Sequence, residues 1–283
     1  MTEPPTAVLS VDLEYFRHTP AYRSASGTLD ETDVGQAGVE FLRDAFESRS
    51  IETTWFVVAD IVEDAPDPVA DLAAAGHEIG SHTRRHHLLS DLDADTRQLE
   101  LESSKDLLED AAGEPVQGFR APAFDVGPDH FDDLATAGYD YDSSVVPSRQ
   151  IPGWYGGEHD RHRPGPAAVV QSEAPAGVAE LPVSVMPGLR LPLTGTWLRF
   201  FGPRYTILGM GLLARRGITP VLYVHPWELV ALPAVEGVPK RVFYHTGAWM
   251  RRAVRRILSA DFEFVTAREA VASSDLTPDP DPP

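Results

Sequence analysis

The chain has 283 residues, 42% hydrophobic and 24% charged, so it can bury a core without staples and is neither collagen-like, a coiled coil nor wholly disordered. Its 43 acidic against 24 basic residues give a net charge of −19, a field that repels phosphate backbones and anionic lipid and argues against nucleic acid as a partner. With no cysteine, disulfides and thiolate chemistry are excluded, and any metal must be held by histidines and carboxylates.

The basic residues are 22 Arg and two Lys, and Asp outnumbers Glu by 24 to 19. Two readings fit this bias: a halophilic surface of strongly hydrated carboxylates, kept soluble where salt screens the repulsion, or an ordinary acidic protein from a GC-rich genome. Met1 to Thr6 is polar with two prolines and lacks the parts of a signal peptide, and no run reaches the roughly 20 apolar residues of a membrane helix. The expectation is a cytoplasmic chain without membrane insertion.

In chain order, Ala7–Val11 reads as a buried strand ending at Asp12, Gly38–Phe46 as an amphipathic helix and Thr53–Val58 as a second strand. A helix follows near Val69–Ala75, then a strand at His77–Gly80, a long helix from about Ala94 to Ala112 and a strand near Val116–Phe119. Pro128–Ala137 reads as a helix with proline in its first turn and Gly138 as its stop. From Val145 to Pro203 the alternation is lost in a proline- and glycine-rich excursion, whose Trp154, Tyr155, Trp197, Phe200 and Phe201 would suit either a sugar-stacking lip or plain packing. Regularity returns with a helix at Thr206–Arg215, a strand at Thr219–Val224, a helix at Thr246–Leu258, a strand at Phe262–Val265 and a short helix from Ala267. This is one α/β domain over residues 1–272, followed by an acidic, proline-rich tail at 273–283 that should be disordered. Parallel pairing puts a ligand at the carboxyl ends of the strands.

Those ends carry the chemistry. His82 and His86 leave the third strand four residues apart, where a turn into a helix would aim both rings at one ion. Asp12 and Glu14, two apart at the end of the first strand, project to one face. A His-His-carboxylate set leaves an open position for water, the catalytic kind of metal site, and frees the other carboxylate to act as base. Arg120 follows the strand at Val116–Phe119, where its planar cation can hold a carboxylate ionised. His225 follows another strand, ahead of Pro226, and reads as a general acid.

In this order the motifs Ser10-Val11-Asp12-Leu13-Glu14, His82-Thr83-Arg84-Arg85-His86, Arg120-Ala121-Pro122 and Val224-His225-Pro226-Trp227-Glu228 resemble the polysaccharide deacetylases, carbohydrate esterase family four, in their NodB-type domain. With Tyr141-Asp142-Ser143-Ser144 they look most like the branch linked to exopolysaccharide and other surface-glycan systems. The resemblance implies a distorted (β/α) barrel of about seven parallel strands and hydrolysis of N-acetyl groups from a glycan, with Asp12 as base and Arg120 orienting it. It further implies His225 as acid, and His82 and His86 with Glu14 around a divalent metal: Zn first, with Co, Mn or Ni as alternatives. Asp142, Pro122, Phe124 and Trp227 are supporting or substrate-facing candidates, Asp142 either orienting His225 or simply forming a turn. Leu13 stands where most members have a second aspartate, which leaves open a cyclic-amide hydrolase of the allantoinase kind, or a glycan-binding module without chemistry.

Overall fold

The computed structural model describes residues 3–25, 34–151, 156–274 and 276. Among them nine strands form one sheet: β1 (Thr6–Leu13), β2 (Thr54–Val57), β3 (Glu78–Ser81), β4 (Gly118–Phe119), β5 (Tyr141–Asp142), β6 (Gly165–Pro166), β7 (Ala179–Glu180), β8 (Val221–Val224) and β9 (Glu263–Phe264). Their order is β6-β7-β5-β4-β3-β2-β1-β8, with β9 on the start of β1, and every pair is parallel except β6 with β7. The chain leaving β7 spans the open side. Val183 N–H donates to the Val145 carbonyl at 2.9 Å and Ser184 N–H to the Val221 carbonyl at 2.9 Å, so the sheet curls into a distorted, incompletely closed barrel.

The period of two along the longer strands sorts their residues between two cores. Ala7, Leu9, Val11 and Leu13 of β1 face outward, into the large cluster shared with the helices. Val8 faces inward with Phe56, Tyr141, Val221 and Tyr223. Ser10 and Asp12 continue that inner row, as does Arg120 of the next turn beyond β4, which bonds to both. Gly80 and Gly118 make room inside: a β-carbon at Gly80 would lie 2.6 Å from the Phe56 ring and one at Gly118 2.2 Å from the Tyr141 ring.

Most elements lie where the sequence puts them. The helix Ala94–Ala112 is capped by the Asp93 carboxylate, which accepts from Thr96 N–H at 2.9 Å, and stops at Gly113 with φ 71°. The helix predicted from Pro128 starts only at His130, because Pro128 and Asp129 are spent in a turn closed by His130 N–H to the Gly127 carbonyl at 3.3 Å. The excursion 145–203 is not structureless: it contributes β6, β7 and the helix Gly195–Phe201. Strands of two residues are too short to show a period. Of the predicted tail only residues 273, 274 and 276 fall within the described residues.

Gly38 fixes the barrel to the His-Pro-Trp-Glu turn. It lies on the helix Gln36–Glu47, and a β-carbon there would sit 2.0 Å from the Pro226 carbonyl oxygen, a backbone atom that cannot rotate away. Gly38→Ala is expected to lower stability by about 1–3 kcal/mol through overpacking. A melting temperature equal to that of the unmodified protein would contradict this contact.

Candidate active site

The sheet register places five strand ends at one level. Leu13 pairs with Val57, Val57 with Ser81, Ser81 with Phe119 and Phe119 with Asp142, while Val11 pairs with Val224 on the other side of β1. One residue further along, Glu14, His82, Arg120 and Ser143 therefore form a belt, with Asp12 beside His225. All of them are buried or nearly so.

Arg120 is fully buried and holds the first carboxylate. Its Nη1 donates to Asp12 Oδ1 at 2.6 Å and to Ser10 Oγ at 2.8 Å; Nε and Nη2 donate to the Ser143 carbonyl and hydroxyl at 2.9 and 2.8 Å. Its guanidinium carbon lies 4.2 Å from the Phe56 ring centroid and 5.3 Å from that of Tyr223. A planar fork bonded through all three of its nitrogens, with two aromatic rings close to it, has one place to stand, and Asp12 is aimed accordingly.

Glu14, His82 and His86 converge, each offering one ligand atom within 4.8 Å of the others. His82 Nδ1 donates to the Arg120 carbonyl at 2.6 Å, which leaves Nε2 as the lone-pair nitrogen of a neutral ring. Burial depresses His82 to about 4. Burial opposes ionisation of Glu14, but His86, His225 and His82 outweigh it and hold the carboxyl below the usual carboxylate range. The predicted turn into a helix is absent. His82–His86 is an irregular loop with Thr83 and His86 at φ 64° and 57°, stabilised by His86 N–H to Thr83 Oγ1 at 3.0 Å and Arg85 N–H to Glu100 Oε1 at 2.6 Å.

These residues fit a divalent cation. Glu14 Oε2 lies 2.6 Å from His86 Nε2, so a buried carboxylate oxygen and a buried imidazole nitrogen already face each other at the point where the three side chains meet. Two imidazoles and a carboxylate are also a donor set suited to such an ion.

His225 completes the cleft, its Nε2 3.6 Å from Glu14 Oε1. Its partner is Glu228, three residues on: Oε2 accepts from the His225 N–H at 3.0 Å and faces Nδ1 at 3.2 Å. Burial would lower His225, but Glu228, then Glu14 and Asp12, raise it to about 9. Trp227 Nε1 donates to Glu14 Oε1 at 2.8 Å, so the tryptophan of the motif orients a candidate ligand. Asp142 does not orient His225. It is buried against His130, 3.0 Å from Nε2, and accepts from Ser144 Oγ at 2.5 Å, the turn alternative together with an unforeseen histidine.

Pro122 opens a short 3-10 turn in which Ala123 and Phe124 have φ 53° and 60°, and Phe124 packs on Tyr223 with centroids 5.3 Å apart. Trp154 and Tyr155 lie outside the described residues. Trp197, Phe200 and Phe201 line a shallow, mostly apolar groove of about 660 Å³ with Lys240, Arg241 and Tyr244. Sequence reasoning missed Glu228, its buried partner Arg199, and His130. Glu228 carried a legible sign, a carboxylate at the third position of a turn begun by His225 and Pro226.

The family profile described as polysaccharide deacetylase matches residues 18–141. Residues 18–141 are thus similar in sequence to the polysaccharide deacetylases. A second profile, described as a domain of unknown function (DUF3473), matches residues 143–272. A peptidoglycan deacetylase from Helicobacter pylori is 26% identical over 113 residues, which are 40% of this chain and 39% of that relative, so the likeness covers well under half of its length. A structure assigned as a polysaccharide deacetylase of Mycobacterium smegmatis superposes with TM-score 0.62 at 24% identity, covering 96% of this chain and 91% of that one. An allantoinase structure superposes with TM-score 0.64 at 18% identity, covering 95% and 90%. These superpositions show a shared deacetylase-type barrel. No helix among the described residues is long and apolar enough to cross a membrane.

Proposed function

We propose that this polysaccharide deacetylase-type chain hydrolyses the N-acetyl group of an amino-sugar residue in a glycan, releasing acetate, with a divalent cation held by Glu14, His82 and His86. The convergence of the Asp12–Arg120 pair, the Glu14/His82/His86 cluster and His225 in one cleft carries this reading. The cation would supply Lewis-acid polarisation of the acetyl carbonyl and of a water. Asp12, held by Arg120, accepts a proton as that water adds to the carbonyl carbon. His225 gives a proton to the departing nitrogen as the C–N bond breaks, so that a neutral amine leaves and the acetyl carbon keeps the added hydroxyl as acetic acid, which gives its proton to the solvent and departs as acetate. Each proton has a named donor and acceptor. The profile boundary near residue 142 falls at β5, within the sheet, and Asp12 comes from one side of it and His225 from the other. We take residues 1–272 to act as one catalytic unit.

A second reading, a cyclic-amide hydrolase, is favoured by the allantoinase superposition and by Leu13 between Asp12 and Glu14. Both are tested by measuring acetate release from N-acetylated oligosaccharides of cell-surface glycans beside ureide and imide hydrolysis. Acetate release is expected, lost on chelation, restored by zinc, cobalt, manganese or nickel, and reduced about 10²–10⁴-fold in Asp12→Asn. Deacetylation that survives both treatments overturns the mechanism, and turnover of ureides alone selects the second reading.

A further inference from the structure

The helix Gly195–Phe201 arises from the segment of unknown function, yet it docks on the partner of His225. Two residues one turn apart achieve this. At Gly195 the missing side chain is required, since a β-carbon there would lie 2.1 Å from Glu228 Oε2. At Arg199, Nε donates to Glu228 Oε1 at 2.7 Å, leaving Oε2 to face His225. Glu228 is fully buried and Arg199 is 3% exposed. The arginine is itself fixed: Nη1 donates to the carbonyls of Val242 and Tyr244 at 2.8 and 3.0 Å, its own carbonyl accepts from His245 Nδ1 at 2.9 Å, and its guanidinium lies 5.4 Å from the Trp227 ring centroid.

Resting on the deacetylase reading, we propose that Arg199 is a positioning residue for the reaction: it locks the Glu228 carboxylate in one rotamer, and Glu228 in turn holds the His225 ring with Nε2 toward the cleft. The segment of unknown function thereby supplies both the proton donor and the frame that aims it. If Arg199 merely neutralised a buried carboxylate, any buried cation would serve. If it positions, the fork is needed, because one group must meet Glu228 and two backbone carbonyls at once.

Arg199→Lys keeps the charge and Arg199→Met keeps the bulk. Both are compared with the unmodified metal-loaded protein on an N-acetylated oligosaccharide and on 4-nitrophenyl acetate, whose phenolate leaves without needing a proton. The expectation is a fall in kcat of about 10²-fold on the amide, of the size that misplacement of a catalytic group causes, with KM and the ester rate little changed. A structural role predicts instead that the amide and ester rates fall together in Arg199→Met and that Arg199→Lys behaves as the unmodified protein; either result overturns the proposal. A second readout needs no turnover: in ¹⁵N-histidine spectra the hydrogen-bonded Nδ1–H of His225 is expected in the unmodified protein and lost in Arg199→Lys, and its persistence there would also overturn it. Failure of the unmodified protein to deacetylate any glycan counts against the deacetylase reading, while the ring spectra still decide the role of Arg199.

Discussion

Arg120→Met is expected to cost about 3–5 kcal/mol of folding stability, the penalty of removing one partner from a buried ion pair. The variant leaves Asp12 buried at 2% exposure with no guanidinium to accept from, and it strips donors from the Ser143 carbonyl and hydroxyl and from Ser10 Oγ. Turnover should fall as well, by about 10²-fold or more, since a base whose aim is lost no longer meets the water it must deprotonate. Arg120→Lys should not rescue it, because a point charge on a flexible stem cannot span Asp12, Ser10 and Ser143 together. The double variant Asp12→Asn/Arg120→Met separates the two effects. Neutralising the stranded carboxylate should return part of the stability while leaving the protein inactive, a coupling readable by urea denaturation beside an acetate-release assay. If the single and double variants unfold at the same urea concentration, the pair is not energetically coupled and the account of Arg120 fails.

How far such a site can be read from sequence depends on what encodes each part. Asp12, His82, Arg120 and His225 were legible because each stands at or just beyond the end of a short apolar run, and parallel pairing forces all such ends to one edge of the sheet. The partners were legible only where proximity in sequence stands in for proximity in space. Glu228 is three residues from His225 and left a sign, whereas Arg199 sits 29 residues upstream in a stretch with no readable period. Asp142 illustrates the opposite failure: a carboxylate near the site in sequence, claimed in space by His130, which emerges from the preceding helix. The His82–His86 loop was misread as entering a helix because Thr83 and His86, neither of them glycine or asparagine, adopt left-handed conformations that composition does not announce.

The largest pH effect should come from His225. Its value in the folded protein is about 9, against 6.5 for a free imidazole, with burial opposing and Glu228 driving the rise. The charged His225–Glu228 contact thus contributes stability that is fully present below pH 6.5 and is lost as pH rises through about 9. Activity should follow the same direction, because the proton that His225 gives to the leaving nitrogen is lost as pH rises, and kcat should fall on the alkaline side. Glu228→Gln removes the main cause of the upward shift, so the alkaline limb should move to lower pH. The companion Glu228→Gln/Arg199→Met keeps the site free of an unpaired buried cation and separates a moved limb from a misfolded protein. His225→Gln should leave a slow residual rate without that limb. A limb that stays in place in Glu228→Gln would show that some other group titrates there and that His225 is not the acid.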